Sequence, residues 1–126
     1  MIKVVCGIIY NNDRIFLCRR KSHKQLGGYW EFPGGKLENN EKPEDALKRE
    51  LNEELEMTVD NLEYFETVIH KYENFKIELI AYKCELIKTS YTLKDHDKFE
   101  WIKRSELINK KLAPADIPIA KHLIST

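Results

Sequence analysis

The spacing of apolar and polar positions changes several times along the chain. Residues 4–10 and 14–18 are β-prone runs separated by Asn11-Asn12-Asp13, which tolerate turn geometry, and they predict a hairpin. Residues 27–35 read Gly-Gly-Tyr-Trp-Glu-Phe-Pro-Gly-Gly, a short extended piece bracketed by glycines that let backbone approach a ligand closely. A helical period then takes over. Leu47, Leu51 and Leu55 fall at i, i+4 and i+8, Pro43 suits a first turn, and Glu44 and Asp45 complement the positive end of the dipole, which predicts a helix over Pro43–Leu55. Residues 62–72 and 75–87 are rich in β-branched and aromatic side chains and predict a second hairpin about Glu73-Asn74. Residues 89–98 are polar and predict a loop, residues 99–102 a short strand, Ser105 the cap of a helical turn through Leu107 and Ile108, and Pro118 the opening of a final helix to Ile124. No repeat or linker interrupts this order, so one α+β domain over residues 1–126 is expected.

Composition narrows the function classes. A chain of 126 residues buries roughly two-thirds of its unfolded surface without disulfides or a structural metal. The 21 Lys and Arg balance 21 Asp and Glu, which argues against a protein held to nucleic acid or membrane by charge alone and leaves a nucleotide-sized partner open. No apolar run approaches the ~18 residues of a membrane helix, and the start Met-Ile-Lys lacks a secretory pattern, so a cytoplasmic location is expected. Cys6, Cys18 and Cys84 are odd in number and widely spaced, and read as ordinary core or surface residues.

The candidate chemistry lies on the helix. Glu50, Glu53 and Glu54 gather on a face adjoining the leucine stripe, where like charges repel. One explanation is a solvated charged helix in which Arg49 pairs with Glu53 and Lys48 with Glu44. The other is a divalent cation: hard ions such as Mg²⁺ take carboxylate and carbonyl oxygens and keep positions for water and substrate phosphates, which suits chemistry on a phosphate anhydride. The preceding Gly-Gly loop and Glu41 favour the second.

Gly35, five residues, Glu41, seven residues and Arg49-Glu50-Leu51-Asn52-Glu53-Glu54, ending at Met57, resembles the Nudix box, G-x5-E-x7-R-E-U-x-E-E-x-G-U with U apolar. The resemblance covers nearly the whole chain. Gly28-Tyr-Trp-Glu-Phe-Pro-Gly-Gly-Lys-Leu37 is similar to the segment leading into the box in MutT-type nucleoside triphosphate pyrophosphohydrolases, and Leu112-Ala-Pro-Ala-Asp-Ile-Pro118 to their base-binding segment, especially in the CTP pyrophosphohydrolase branch. It implies a Nudix α/β/α sandwich with a mixed sheet and a loop-helix-loop box. It also implies Glu50, Glu53 and Glu54 as ligands of Mg²⁺ or Mn²⁺ with the carbonyl of Gly34, Glu41 as a secondary metal-side acid and Arg49 as the residue that orients the glutamates. Asp95, six residues before Trp101, matches an acid acting as base or ligand, with His96 beside it as runner-up. Arg20 matches a substrate-contacting arginine, a surface strand arginine being the alternative. Two positions depart from good helix ends: Glu56 stands where the box has Gly, and Lys42 where Ser or Thr would cap.

Asp116 bears on base choice. An ionised carboxylate accepts only, and selects N–H donors such as the cytosine amino group or the N1–H and N2 pair of guanine; a protonated one also donates; the alternative is that Asp116 simply caps the last helix. Phe75, Tyr29 and Tyr82 are candidates to stack on the base or to fill the core, Lys36 and Lys76 to meet phosphates or water, while Trp30 and Trp101 are assigned to packing. His23, His70 and His122 are given no role. The expected activity is metal-dependent hydrolysis of (deoxy)nucleoside triphosphates to monophosphate and pyrophosphate, with 8-oxo-dGTP ahead of CTP or a modified dCTP. A nucleotide-binding Nudix module without catalysis is the rival. The expected partner is a small nucleotide, with no stable nucleic-acid or membrane binding, in a monomer or homodimer.

Overall fold

The computed structural model describes residues 1–126. Strands β1 (Ile2–Asn11) and β2 (Arg14–Arg20) form the expected hairpin, turned at Asn12, whose φ of 59° suits asparagine. They stay paired only beside the turn, at Tyr10 with Ile15 and Asn11 with Arg14. Beyond it they diverge. β1 takes up β4 (Gly34–Lys36), while β2 takes β3 (Trp30–Glu31) on one edge and β7 (His96–Lys103) on the other. This splay opens the sheet around the glycine-bracketed segment.

The second hairpin is longer than its sequence pattern suggests: β5 spans Met57–Lys71 and β6 Lys76–Thr89, closed by a bond from the Tyr72 N–H to the Phe75 carbonyl of 2.8 Å. Met57 and Val59 are buried while Thr58 is exposed, an alternation that carries the strand back to the end of the helix. β1 runs parallel to β6 and the other pairings are antiparallel, giving a mixed sheet in the order β3-β2-β1-β6-β5 with β4 and β7 off that path. Helix α1 (Pro43–Leu55) covers one face and α2 (Ile117–Ser125) the other. Leu47, Leu51 and Leu55 pack on Val5, Ile9 and Phe16 in one core, and Ile119 and Leu123 on Ile8, Ile15 and Leu17 in the second. Each fully buried side chain of this size contributes about 1.5–3 kcal/mol. The α/β/α sandwich expected from the resemblance is therefore present.

Two local expectations are corrected. Backbone pairing with β2 recruits residues 96–98 into β7, where a polar loop was expected; the register steps from Arg19 opposite Lys98 to Arg20 opposite His96, so Asp97 is a bulge. Ser105 lies inside a 3₁₀ turn, Arg104–Asn109, instead of capping a turn. Lys103 precedes that turn and its N–H donates to Glu106 Oε1 at 2.8 Å. The final helix starts one residue before Pro118, after a 3₁₀ turn at Pro114–Asp116. No helix is long and apolar enough to cross a membrane.

Candidate active site

Burying the leucine stripe of α1 fixes where its acids point. Lys42 makes no side-chain cap, as its chemistry implies, and the helix is anchored from the side by Arg49. The Arg49 guanidinium donates Nε and Nη2 to the two carboxylate oxygens of Glu41 at 2.7 and 2.9 Å, Nη1 to Glu50 at 2.9 Å and Glu53 at 3.2 Å, and Nη2 to the carbonyl of Lys36 at 3.1 Å. The planar fork thus ties helix, preceding loop and β4 together. Arg49 does meet Glu53 at i+4, but as one arm of this clamp, and Glu44 accepts a bond from the Tyr82 hydroxyl at 3.1 Å in place of a Lys48 pairing. The Arg49 bonds, with the Glu38 N–H, hold Glu41 down to about 2.

β4 carries the glycine pair beneath the helix. A Cβ on Gly34 would collide with the Val5 carbonyl oxygen, and one on Gly35 with the carboxyl group of Glu50. Only glycine at 35 allows the backbone to lie directly against that carboxylate, and only glycine at 34 allows it to pack on the Val5 carbonyl.

Glu54 is the acid Arg49 does not reach. Burial first, then the charge and hydrogen bond of Glu50 and the charges of Asp95 and Glu31, push it up to about 9. Glu50, Glu53, Glu54 and the adjoining glycine backbone are a set of hard oxygen donors carrying more negative charge than Arg49 offsets. Their chemistry is that of donors a divalent cation takes. The trio whose donor atoms do lie within 4.8 Å of one another is a different one, Cys18, Glu31 and His96. Burial pushes its thiol well up, and a soft sulfur donor is the wrong partner for Mg²⁺.

Beside the carboxylates lies a cleft of about 430 Å³. Arg20, Lys36, Phe75 and Asp116 all line it, together with Gly34, Gly35 and Glu31. Arg20 donates Nε to the Gln25 carbonyl at 2.8 Å and Nη1 to Glu31 at 3.4 Å, so it is held at the cleft wall and is not a free surface arginine. Phe75 stacks on Tyr72 at 5.2 Å. Asp116 makes no helix cap; it is buried and accepts the Phe32 N–H through Oδ2 at 2.8 Å. Burial and the nearby Glu31 raise its carboxyl well above the usual range, against the opposing pull of the Phe32 N–H.

The remaining candidates separate. Tyr82 belongs to the core under α1 and Tyr29 lies beneath the Lys111 ammonium at 4.3 Å, and neither they nor Lys76 line the cleft. Trp30 is core, and Trp101 packs edge-on against Phe16 at 5.2 Å, in keeping with their assignment to packing. All three cysteines are buried free thiols. Burial pushes the Asp95 carboxyl up, but Lys24, at 3.1 Å, with Arg20 outweighs it and holds Asp95 below its usual range.

Glu31 was not singled out from sequence, and His96 only as a stand-in for Asp95. The structure buries His96 and bonds its Nε2 to Glu31 Oε2 at 2.8 Å. The one sequence signal for Glu31 was its place among apolar neighbours in Trp30-Glu31-Phe32.

The NUDIX domain family model matches residues 4–122, and the chain belongs to that family of hydrolases, whose members generally use a divalent metal. Its relatives are of the MutT type. It is 34% identical to the CTP pyrophosphohydrolase of Escherichia coli (strain K12), over 99% of this chain and 93% of the relative, and 32% identical to the 8-oxo-dGTP diphosphatase of the same strain, over 97% and 95%. Among solved structures it is similar to the DNA mismatch repair protein MutT (family Nudix hydrolase) from methicillin-resistant Staphylococcus aureus 252. The identity is 40% and the TM-score 0.75, over 98% of this chain and 95% of that one.

Proposed function

We propose that the protein hydrolyses (deoxy)nucleoside triphosphates to monophosphate and pyrophosphate with Mg²⁺ or Mn²⁺, removing 8-oxo-dGTP from the cytoplasmic nucleotide pool. One observation carries this: Gly35 lines the cleft and also abuts the Glu50 carboxylate, so a molecule in the cleft can set its phosphates beside the acidic helix. Glu50, Glu53 and Glu54 with the Gly34 carbonyl hold the metal, Arg49 fixes the glutamates, and Glu41 anchors Arg49. When bound, the cation neutralises phosphate charge and acidifies a water. Asp95, kept below its usual range with the help of Lys24, takes a proton from the attacking water. Arg20 and Lys36 meet the nucleotide's anionic part, Phe75 covers its base, and Asp116 reads the base edge through the oxygen not used by Phe32.

A second reading, CTP or a modified dCTP, is supported by the elevated Asp116: a neutral carboxyl donates to N3 and accepts from N4 of cytosine. The test is pyrophosphate release from canonical and oxidised nucleoside triphosphates, with Mg²⁺ and with EDTA, compared as kcat/KM. A metal-dependent preference for 8-oxo-dGTP supports the first reading and a cytosine preference the second. No hydrolysis of any overturns both in favour of a nucleotide-binding module.

A further inference from the structure

We infer that His96 is a positioning residue for nucleotide binding: it reaches across β2 to fix Glu31 at the cleft wall, and affinity for the nucleotide depends on that hold. The inference rests on the hydrolase reading above for the identity of the ligand.

The register places the pair. Glu31 lies opposite Cys18 on one edge of β2, and His96 lies opposite Arg20 on the other. Cys18 and Arg20 are two residues apart, so both partners project to the same face, and their side chains meet over β2 at 2.8 Å. Glu31 Oε2 receives His96 Nε2 and, at 3.4 Å, Arg20 Nη1. Oε1 has no hydrogen-bond partner, and the residue lines the cleft. His96 is 1% exposed, so no bulk water replaces it if it is removed. Its Nδ1 is buried without a partner. The tautomer with its proton on Nε2 donates to Glu31 and leaves Nδ1 a bare lone pair, a smaller loss than an orphaned N–H. The ring is thus placed for what Nε2 does. Glu31 in turn lies between the two halves of the site, its charge felt both by Asp116 in the cleft and by Glu54 on α1. Without His96, its flexible side chain is free to fold onto Arg20 alone and withdraw both groups from the cleft wall.

His96→Leu keeps the volume and removes the donor, whereas His96→Gln sets an amide N–H near the position of Nε2. For the nucleoside triphosphate that wild type prefers, the Leu variant is expected to raise KM roughly tenfold while kcat falls less than about threefold, and the Gln variant to recover most of the loss. In a Glu31→Gln background, His96→Leu should add little, because the partner is already gone. An unchanged KM in a folded Leu variant, a failed rescue by Gln, or additive losses in the double variant would overturn the inference. Two measurements do not need turnover: the dissociation constant of a non-hydrolysable α,β-methylene triphosphate, and ring ¹⁵N NMR, which should show His96 protonated on Nε2 and its signal shifted by Glu31→Gln. A catalytically silent wild type overturns the hydrolase reading alone. An analogue affinity unmoved by His96→Leu, or a ring signal indifferent to Glu31→Gln, overturns the positioning role.

Discussion

Gly35 has no room for a side chain because the carboxylate of Glu50 occupies the place where its Cβ would go. The obstruction is the far end of a flexible side chain, so Gly35→Ala is expected to fold while displacing Glu50. A misplacement of that size in a catalytic array should lower kcat/KM by roughly a hundredfold, with little change in melting temperature. Gly34→Ala is the control. There the obstruction is the backbone carbonyl of Val5, and the loss should be in stability, about 3 kcal/mol or more by denaturant titration.

Glu53→Gln retains shape and hydrogen bonding but removes a charge from the proposed metal set. Turnover should fall by roughly two orders of magnitude or more. In wild type, Mg²⁺ should raise the melting temperature, and in the variant that shift should shrink. A small loss of rate, or an undiminished Mg²⁺ shift, would remove Glu53 from the set.

Glu54 adds a pH dependence to the same experiment. Its folded value of about 9 lies above the 4.5 of the free group, so without metal its protonation contributes stability below pH 4.5 that is lost as pH rises through about 9. Cation binding favours the ionised form and releases that proton. The melting-temperature gap between Mg²⁺ and EDTA samples should widen across that window. A gap that is flat in pH would refute the assignment.

Asp116→Asn tests the base pocket. An amide oxygen still accepts the Phe32 N–H, and the titrating group is gone. In wild type the raised carboxyl contributes stability that is fully present below pH 3.8 and lost as pH climbs through its folded value. The Asn variant should therefore gain on wild type as pH increases, readable as a growing difference in urea midpoint. The same change should alter the ratio of kcat/KM between guanine and cytosine triphosphates by about tenfold. A ratio that does not move would place base selection elsewhere.

Glu56 ends α1 in the left-handed region at φ 48°, where the family pattern has Gly, and its carboxylate accepts bonds from Ser90 and Thr92. The side chain thus offsets the backbone strain that it introduces. Glu56→Gly relieves the strain and loses the bonds, whereas Glu56→Ala keeps the strain and loses the bonds. Alanine should be the less stable of the two in chemical denaturation, with activity in both near wild type.

The parts of the fold readable from sequence were those written in local periodicity. Pro43 and the Leu47, Leu51, Leu55 stripe define α1 at both ends, and burying that stripe places the glutamates where the spacing indicated. Elements that depend on distant partners were not readable. Residues 96–98 look like loop because their polar side chains conceal a backbone that β2 pairs. Asp116 before Ile117-Pro118 has the chemistry of a cap, yet its partner is the N–H of Phe32, 84 positions away. Arg20, Lys36, Phe75 and Asp116 come from four separate segments; the family resemblance indicated Arg20 and Asp116, whereas Phe75 and Lys36 were candidates by side-chain type alone, and only the fold shows that all four share one cleft.

The bulge at Asp97 decides which of two adjacent residues turns inward. With Arg19 opposite Lys98 and Arg20 opposite His96, the imidazole enters the protein while Asp97 stays outside, bonded through both oxygens to Arg19 at 2.8 and 3.0 Å. Were the ladder regular, Asp97 would fall opposite Arg20, and a second acid would face Glu31 where a donor now stands. The chemistry of that wall is therefore a matter of counting as much as of identity. Smoothing the bulge with every residue retained would exchange a base for an acid without substituting either, so a slip of register is a route to a different pocket.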